Sequence, residues 1–307
     1  MREEHDTGAV GNDPSTATVA TLGGNLCPVC AHQIEARIDV HWYRLFACRR
    51  CGCWSSDALM RGAATSFEPC SYFSNVDVDR DRWRDLLKRV AGRAAPLRSV
   101  LDVGCGRGGF LTFIAKEYPH LRSAGVELDP ERAAAARAAN PKATIAAGDA
   151  VAALRELPGS FDLITLWDVL EHLPEPRAVL AALAGRLTPG GCIFFQTVHE
   201  QSIVPTLGRL SYALSGGRLR FFARRTHEAH HLVFFSKDGL TRLADAAGLA
   251  IRDQWFDRLL LARMDGGRVL TTATAVLLAL ENRLGNGLFI NCLLERRAAA
   301  PAVAAAD

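Results

Sequence analysis

A glycine-rich stretch in the first half of the sequence has the composition of a turn that binds a ligand through its backbone. It reads SVLDVGCGRGGF over residues 99–110, and its four glycines fall within six positions. The apolar residues before Gly104 predict a strand, and the glycines predict a turn that leads into a helix near Phe110. Because glycine has no Cβ, backbone N–H groups there can approach a ligand closely. The spacing satisfies G-x-G-x-x-G, which is typical of dinucleotide sites but is weak evidence by itself.

An acidic residue two positions before the first of these glycines argues against a dinucleotide. In a doubly wound sheet the ligand binds beyond the carboxyl ends of the strands, so Asp102 is expected beside it. A carboxylate there repels the pyrophosphate of NAD and attracts a cation. S-adenosylmethionine carries a sulfonium and an ammonium group, so Asp102 favours that cofactor. Glu127, at the end of the next predicted strand, can accept hydrogen bonds from the ribose hydroxyls of either cofactor.

Four cysteines near the N-terminus have the spacing of a zinc ribbon. Cys27 and Cys30 form CPVC, Cys48 and Cys51 form CRRC, and 17 residues separate the two pairs. Four thiolates at this spacing predict a closed, tetrahedral Zn²⁺ site with a structural role. Cys53 is a weaker alternative ligand, and buried thiols without a metal are the alternative to the site. Because the segment is too short to build its own core, bound zinc is expected to supply much of its folding free energy.

The composition is that of a globular protein with little net charge. The chain has 307 residues, of which 49% are hydrophobic and 22% charged, and its formal net charge is +3. So small a charge does not favour nucleic acid as a partner. The longest apolar run, VLTTATAVLLAL at 269–280, is too short for a transmembrane helix. The nine cysteines and the polar N-terminus, which has no apolar signal segment, predict a cytoplasmic protein with reduced thiols.

Strand and helix patterns alternate from residue 98 onward. Predicted strands at 99–103 and 122–127 are each followed by a helix, and Asp129 and Pro130 have the types of an N-cap and a first helical residue. The segments FDLITLWDV, EPRAVLAALAGRL and CIFFQTV continue the alternation. This pattern predicts an α/β fold in which a parallel sheet is covered by helices on both faces.

The motifs of this α/β region resemble those of the class I S-adenosylmethionine-dependent methyltransferases. The matching segments, in the family's order, are LDVGCGRGGF, GVELDP, GDA, FDLITLWDVLEHLPEP and LTPGG, and they cover about residues 98–198. The resemblance implies a doubly wound, seven-stranded Rossmann-like sheet whose last strand is antiparallel, and GLFINCLLERR suits that strand. An N-terminal zinc ribbon also precedes the catalytic domain in a subgroup of bacterial methyltransferases that act on small molecules.

These patterns divide the chain into five expected segments. They are a disordered N-terminus (1–24), a zinc ribbon (25–56), a linker and helix (57–95), a class I methyltransferase domain (96–297) with a lid insertion at about 200–230, and a disordered tail (298–307).

The resemblance also implies which residues contact the cofactor. Glu127 is expected to bind the ribose, Asp149 the adenine amino group, and Trp167 to lie near the methyl group. Tyr72, which precedes the domain, either covers the methionine end of the cofactor or packs in the core. Each acidic residue has a second interpretation as a helix cap. The full set of expected contacts is Tyr72, Asp102, Gly104, Cys105, Gly106, Glu127, Leu128, Asp149, Ala150 and Trp167.

Three histidines near the expected carboxyl edge of the sheet are candidates for a general base. An oxygen or carbon acceptor must lose a proton as the methyl group arrives, and histidine is suited to this near neutral pH. We rank His199 first, then His231, then His172. Their structural alternatives are, in the same order, a solvated loop residue, a core residue and a hydrogen-bond partner within the motif.

A basic and apolar insertion follows the fifth predicted strand. Residues 218–225 alternate arginine with leucine and phenylalanine. This segment is a solvated surface, a recognition site for an anionic acceptor, or a membrane-docking surface for a lipid-like acceptor. We therefore predict methyl transfer from S-adenosylmethionine to a small molecule, such as a secondary metabolite, a sugar or a lipid-like compound. The alternatives are an RNA methyltransferase that uses the ribbon to recognise its substrate and a binding module without catalysis.

Overall fold

The computed structural model describes residues 26–58, 76–91, 96–257 and 268–297 of the chain. The predictions made for Tyr72, for the N-terminus (1–24) and for the tail (298–307) lie outside these residues.

Two β-sheets and the helices that cover them make up the described part of the chain. The strands are β1 (Glu35–Asp39), β2 (Arg44–Ala47), β3 (Trp54–Ser56), β4 (Ser99–Val103), β5 (Arg122–Glu127), β6 (Thr144–Ala147), β7 (Phe161–Trp167), β8 (Leu187–Val198), β9 (Val233–Phe234), β10 (Leu249–Asp257) and β11 (Phe289–Arg296). The helices are α1 (Val76–Ala91), α2 (Gly109–Glu117), α3 (Pro130–Ala139), α4 (Ala150–Glu156), α5 (Pro176–Gly185), α6 (Ile203–Leu214), α7 (Arg220–Thr226), α8 (Lys237–Ala246) and α9 (Arg268–Arg283). One 3₁₀ turn spans Leu170–His172.

The larger sheet confirms the predicted α/β fold. Within the described residues it has seven strands in the order β10-β11-β8-β7-β4-β5-β6. Strands β4 to β8 pair in parallel, whereas β11 is antiparallel to both of its neighbours. The last strand of the chain is therefore the antiparallel one, as predicted from GLFINCLLERR.

Helices cover both faces of this sheet because successive residues of each central strand point in opposite directions. On one face, Val100 and Leu163 pack with Trp83 and Leu87 of α1. The apolar stripe of α1 is buried, and its members are Trp83, Leu86, Leu87 and Val90. On the other face, strand residues such as Leu101 join residues of α4, α5 and α8 in the larger core cluster. A fully buried leucine of this kind contributes about 2 kcal/mol to folding.

The smaller sheet connects the cysteine-rich segment to the main domain. Its order is β1-β2-β3-β9, and β9 comes from the far side of the insertion that follows β8. Trp54 of β3 pairs with Phe234, and Ser55 pairs with Val233. Cys51 contributes to the same core cluster as the main sheet. The ribbon is therefore packed onto the domain through shared strands and a shared core.

The insertion after β8 consists largely of the helical pair α6 and α7. Glu200, which is buried, accepts a hydrogen bond from Arg209 of α6 and lies 3.0 Å from Nε2 of His227 at the end of α7. Tyr43 of the ribbon donates a hydrogen bond to the carbonyl oxygen of His227. These bonds attach the pair to the segment that follows β8 and to the ribbon. No helix in the described part of the chain combines the length and apolarity needed to span a membrane.

Candidate active site

The glycine loop lies where β4 ends and α2 begins. Gly104, Gly106 and Gly108 have φ values of 71°, 55° and 84°, which favour glycine over other residues. A Cβ at Gly104 would collide with Val169, so the turn packs closely against the segment after β7. At Gly106, by contrast, no described atom lies within 4 Å of the position that a Cβ would take. The backbone of Gly106 is therefore open to a ligand.

Asp102 is a buried acid in β4, next to this loop. Its side chain is 3% exposed, and its Oδ1 accepts a hydrogen bond from Oγ1 of Thr165 at 2.8 Å. Burial raises the pKa of Asp102 to about 7, and the nearby charge of Glu127 acts in the same direction. A cation bound beside this carboxyl group would stabilise its ionised form.

Glu127 ends β5 and faces the same loop. Its Oε2 accepts the N–H of Gly106 at 2.7 Å, and its Oε1 accepts the N–H of Asp129 at 3.0 Å. These bonds fix the carboxylate, and each oxygen keeps a lone pair that can accept a ribose hydroxyl. Two buried acids beside an open glycine backbone fit a cationic adenosyl cofactor. The structure brings Asp102, Gly106 and Glu127 together, while their contacts with the cofactor stay a prediction.

The residues expected near the adenine have mixed roles. Oδ1 of Asp149 accepts the N–H groups of Val151 and Ala152 at 3.0 and 3.2 Å, so Asp149 caps α4, which begins at Ala150. This cap matches the structural interpretation of Asp149 and uses one of its two carboxylate oxygens. Leu128 is 63% exposed and offers an apolar surface to a bound ring.

Cys105 lies within the loop but is turned into the core. Its side chain is buried and packs in a cluster with Leu111 and Ile145, and its N–H donates to the carbonyl oxygen of Val126 at 3.0 Å. Its place in the expected set of cofactor contacts stays a prediction.

A cavity of about 170 Å³ opens beside Trp167, the last residue of β7. The indole ring packs against Phe194 with ring centroids 4.4 Å apart, and the guanidinium of Arg82 lies 5.9 Å from its centre. Arg82 extends from α1 and donates a hydrogen bond to Asp257 at 3.0 Å. Among the described residues, the buried Nε1 of Trp167 has no hydrogen-bond partner. Since an unsatisfied buried donor costs about 1–3 kcal/mol, a ligand that accepts this bond would be favoured.

Arg82 was missed by sequence reasoning. Its segment, DRDRWRDLLKRV, shows only the charge pattern of a solvated amphipathic helix. In the structure its side chain is 14% exposed and forms ion pairs with Asp79 and Asp257. The signal that could have identified it is its place one position before Trp83, at the edge of the buried stripe of α1.

A buried glutamate follows β7 in the 3₁₀ turn. Glu171 is 1% exposed, and its Oε2 accepts a hydrogen bond from Oγ1 of Thr197 at 2.9 Å. Burial raises the pKa of Glu171 to about 8, and the charge of Asp168 contributes to the same shift. Sequence reasoning named its neighbour His172 and overlooked Glu171 and Thr197.

The structure places two of the three candidate histidines together beside Glu171. The ring centroids of His172 and His231 are 4.8 Å apart. Nδ1 of His172 lies 2.9 Å from the carbonyl oxygen of His230, which can only accept, so Nδ1 carries the proton. Burial lowers the pKa of His172 to about 4 and that of His231 well below its ordinary value. Both imidazoles are therefore neutral near pH 7.

His199 lies in a different environment. It is buried at the end of β8, its Nδ1 is 3.1 Å from the carbonyl oxygen of Gly287, and its ring packs against Phe256. This burial excludes the solvated-loop interpretation. Burial also lowers the pKa of His199, and its Nε2 has no hydrogen-bond partner among the described residues. Its role as a base stays a prediction.

The cysteine pairs converge as their spacing predicts. The sulfur atoms of Cys27, Cys30, Cys48 and Cys51 lie within 4.8 Å of one another. The Cys27–Cys51 and Cys30–Cys48 distances are 3.6 and 3.5 Å, close to the ~3.8 Å between sulfurs of a tetrahedral site with zinc–sulfur bonds of about 2.3 Å. Sγ of Cys53 lies outside this group, 3.6 Å from Oγ of Ser236. The four sulfurs fit a zinc ion.

Comparisons with known proteins agree with this geometry. A family model described as a methyltransferase domain matches residues 76–254. A ubiquinone biosynthesis O-methyltransferase of Xanthomonas campestris pv. campestris is 31% identical over 174 residues, which are 54% of this chain and 69% of that protein. One of Ralstonia nicotianae is 34% identical over 165 residues, or 50% of this chain and 65% of that protein. This chain is also similar in structure to the plantazolicin methyltransferase BamL, whose crystal structure is a complex with a triazolic desmethylPZN analog and SAH. The superposition has a TM-score of 0.52 at 13% sequence identity, and it covers 78% of this chain and 91% of the BamL chain.

Proposed function

Because this chain belongs to the methyltransferase domain family and is an S-adenosylmethionine-dependent methyltransferase, we propose that it methylates an oxygen atom of a small organic acceptor. The main support for the proposal is that two buried acids, Asp102 and Glu127, lie beside the open backbone of Gly106. The choice of oxygen is supported by the similar proteins of Xanthomonas campestris and Ralstonia nicotianae, both of which are ubiquinone biosynthesis O-methyltransferases.

The glycine loop and the strand ends would hold the cofactor. S-adenosylmethionine, when bound, supplies an electrophilic methyl group on a sulfonium. Asp102 stabilises the positive charge of the methionine portion, and Glu127 accepts the ribose hydroxyls. Leu128 covers one side of the adenine ring. The remaining expected contacts come from Gly104, Cys105, Asp149, Ala150, Trp167 and Tyr72.

The acceptor would approach from the cavity beside Trp167. Most of the rate enhancement in such a reaction comes from holding the acceptor oxygen in line with the methyl carbon and excluding water. Trp167 and Arg82 form one wall of this cavity. A histidine then accepts the hydroxyl proton, and the candidates are His199, His231 and His172, each of which burial keeps neutral.

We propose that the four clustered cysteines bind one structural Zn²⁺ ion. The sulfur distances suit tetrahedral thiolate coordination, and β3 of the ribbon is bonded to β9 of the main domain. The ion would fix the ribbon against the segment that leads into α8. In this position zinc has no open coordination site, so its role is structural.

We propose that the outer surface of α6 and α7 contacts a lipid-like acceptor or the bilayer that contains it. Within 203–226 the sequence has five arginines and no acidic residue. The side chains of Leu214 and Phe221 are 80% and 68% exposed, an unusual exposure for large apolar residues in one place. The full exposed set in this pair is Leu207, Leu210, Leu214, Leu219, Phe221 and Phe222.

Turnover of a labelled methyl group tests the proposed reaction. The protein is incubated with S-adenosylmethionine that carries a deuterated methyl group and with metabolite and lipid extracts, and products are identified by mass spectrometry. Label on a hydroxyl-bearing small molecule supports the proposal. Label that appears only on RNA, and that RNase removes, would instead support the RNA alternative, and binding of the cofactor without turnover on any acceptor would support the binding-module alternative.

A further inference from the structure

We propose that a cavity between the ribbon and α7 binds the phosphate headgroup of an anionic lipid at a membrane surface. The cavity is lined by Trp42 and Tyr43, from the turn between β1 and β2, and by Phe221, Arg224 and Arg225 of α7. This site rests on the bilayer contact of α6 and α7 proposed above, to which it adds one cavity and one class of lipid. It does not depend on methyl transfer.

The cavity has the size and composition of a ligand site. Its volume is about 370 Å³, which lies in the range of about 300–1,000 Å³ that is typical of such sites. The aromatic rings of Trp42, Tyr43 and Phe221 line it together with two guanidinium groups. An apolar cavity with a few convergent polar groups is the usual form of a small-molecule site.

The ribbon side of the cavity is held in place by the insertion. The N–H of Asp39 donates a hydrogen bond to the hydroxyl oxygen of Tyr212 in α6 at 3.2 Å. Val40 and Tyr43, on either side of the turn, are buried in one apolar cluster. Trp42 lies between them and is 54% exposed. A fixed turn therefore presents a large apolar ring to the outside, so little conformational entropy is lost when a ligand packs on it.

Arg224 is placed to bind an oxyanion. Its guanidinium lies over the ring of Trp42, 4.1 Å from the ring centroid. A guanidinium on an aromatic face keeps the N–H groups of its plane available, and two of them can bind two oxygens of one phosphate. Among the described residues, Arg224 forms no ion pair with a carboxylate. Its charge is therefore not neutralised by a neighbouring acid.

The other charges at the cavity leave it positive. Glu228 is the one acid among the described lining residues, and its carboxylate lies 3.1 Å from Nε2 of His230. The hydrogen bond with His230 lowers the pKa of Glu228, and the charge of Arg225 contributes to the same shift. The carboxylate of Glu228 is thus ionised near pH 7, but the two arginines outnumber it. A cavity with this balance of charge attracts an anion.

The surroundings favour a phosphate that carries an apolar body. Phe221, Phe222 and Leu219 are exposed next to the arginines, as Trp42 is on the ribbon side. Exposed apolar residues in one place are typical of an interaction surface. Tryptophan and arginine suit a membrane interface because each combines an apolar part with a polar tip. A free phosphate ion would contact only the arginines, whereas the chains of a lipid would also pack against Trp42 and Phe221.

Calorimetric titration of the full-length protein with dihexanoylphosphatidic acid, a soluble short-chain lipid, tests the site. We expect one lipid to bind per chain. Binding should be at least about tenfold weaker in Arg224→Gln, which loses a charged hydrogen bond, and in Trp42→Ala, which loses the ring beneath the guanidinium. Arg224→Lys should also bind weakly, because lysine keeps the charge but not the planar pair of donors.

Arg218→Gln is the matched control. It removes the same charge from an exposed position close to α7 that does not line the cavity, so the affinity for the lipid should stay unchanged. Inorganic phosphate should bind at least about tenfold more weakly than the lipid, because it lacks the apolar contacts. Circular dichroism and binding of S-adenosylhomocysteine show whether each variant is folded. Because Trp42 and Arg224 are both exposed, either variant tests the site if the other does not fold.

The outcomes separate this inference from the proposed reaction. No saturable lipid binding, or an equal loss of affinity in Arg224→Gln and Arg218→Gln, would overturn the site. Equal affinity for inorganic phosphate and the lipid would indicate a site for a soluble anion and would also overturn it. Methyl transfer by a protein that binds no phosphatidic acid would overturn this site alone. Lipid binding that depends on Arg224, without methyl transfer to any acceptor, would overturn the proposed reaction and leave the lipid site supported.

Discussion

Replacement of Asp102 by asparagine should remove a pH dependence of cofactor binding that the wild-type protein has. Burial raises the pKa of Asp102 to about 7, against an ordinary value of 3.8. If the ionised carboxylate is the form that binds a cation, the competent fraction is about 9% at pH 6 and about 91% at pH 8. The affinity for S-adenosylmethionine is therefore expected to rise about tenfold over this interval and to level off above it.

The same substitution should raise the stability of the cofactor-free protein at high pH, whereas it should weaken cofactor binding there. Because the folded state holds the proton of Asp102 more tightly than the unfolded state does, ionisation costs folding free energy as the pH rises from about 4 to about 7. The full difference of about 3 pH units corresponds to at most ~4 kcal/mol at pH 8. Asp102→Asn, which can still accept the hydrogen bond from Thr165, should thus be more stable than wild type at pH 8 and little different at pH 4.

Isothermal titration calorimetry between pH 6 and pH 8 measures the affinity, and thermal unfolding measures the stability. Asp149→Asn is a matched control, since Asp149 is an acid at a neighbouring strand end that caps α4. We expect the slope of affinity against pH to persist in the control and to disappear in Asp102→Asn, which should also bind more weakly at pH 8. A wild-type affinity that does not vary from pH 6 to pH 8, or an unchanged slope in Asp102→Asn, would refute the reasoning.

Three further predictions concern the zinc ribbon, the histidines and the exposed helical pair. Mass spectrometry or metal analysis should find about one zinc per chain. The zinc should be lost in Cys27→Ser, Cys30→Ser, Cys48→Ser and Cys51→Ser and kept in Cys53→Ser. A folded protein without metal would contradict the assignment of a zinc ribbon. If one of the three histidines is the base, its replacement by alanine should lower the turnover of the enzyme by about 10²–10⁴-fold and leave the cofactor affinity normal. The turnover of His199→Ala, His231→Ala and His172→Ala is therefore compared, and near-normal rates in all three would exclude a histidine base. The protein should sediment with vesicles that contain anionic lipid at low salt, and less of it should sediment at high salt. The double variant Phe221→Ser/Leu214→Ser should not sediment with these vesicles. Equal sedimentation with neutral vesicles would argue against an electrostatic contribution from the arginines.

The parallel sheet and the glycine loop could be predicted because each is encoded locally. A strand such as 99–103 is a short apolar run that ends at glycines, and Asp129 and Pro130 mark the start of α3 as predicted. The Cys27 and Cys30 pair is similarly local, since its spacing fixes which atoms can share one metal. In each case the deciding residues are neighbours in sequence.

Other features depend on contacts between distant parts of the chain and left no local signal. Strand β9 has only two residues and is a strand because it pairs with β3, almost 180 positions earlier in the sequence. Arg82 looks like a surface residue of α1 until the helix packs over Trp167. Glu171 looks like an ordinary acid in a 3₁₀ turn until Thr197 and His231 meet it in space. The sequence could name His172 and His231 but could not show that their rings pack together.

Calorimetric titration with S-adenosylhomocysteine, the demethylated cofactor, and with NAD tests most directly that the glycine loop and its two acids bind an adenosylmethionine-type cofactor. We expect one molecule of S-adenosylhomocysteine to bind per chain. Glu127→Ala should weaken this binding by about 1–3 kcal/mol, or about 5- to 150-fold, because it removes a buried, charged hydrogen-bond acceptor from the ribose. NAD is expected to give no binding heat. Binding of NAD that depends on Glu127, with no binding of S-adenosylmethionine or S-adenosylhomocysteine, would contradict the account.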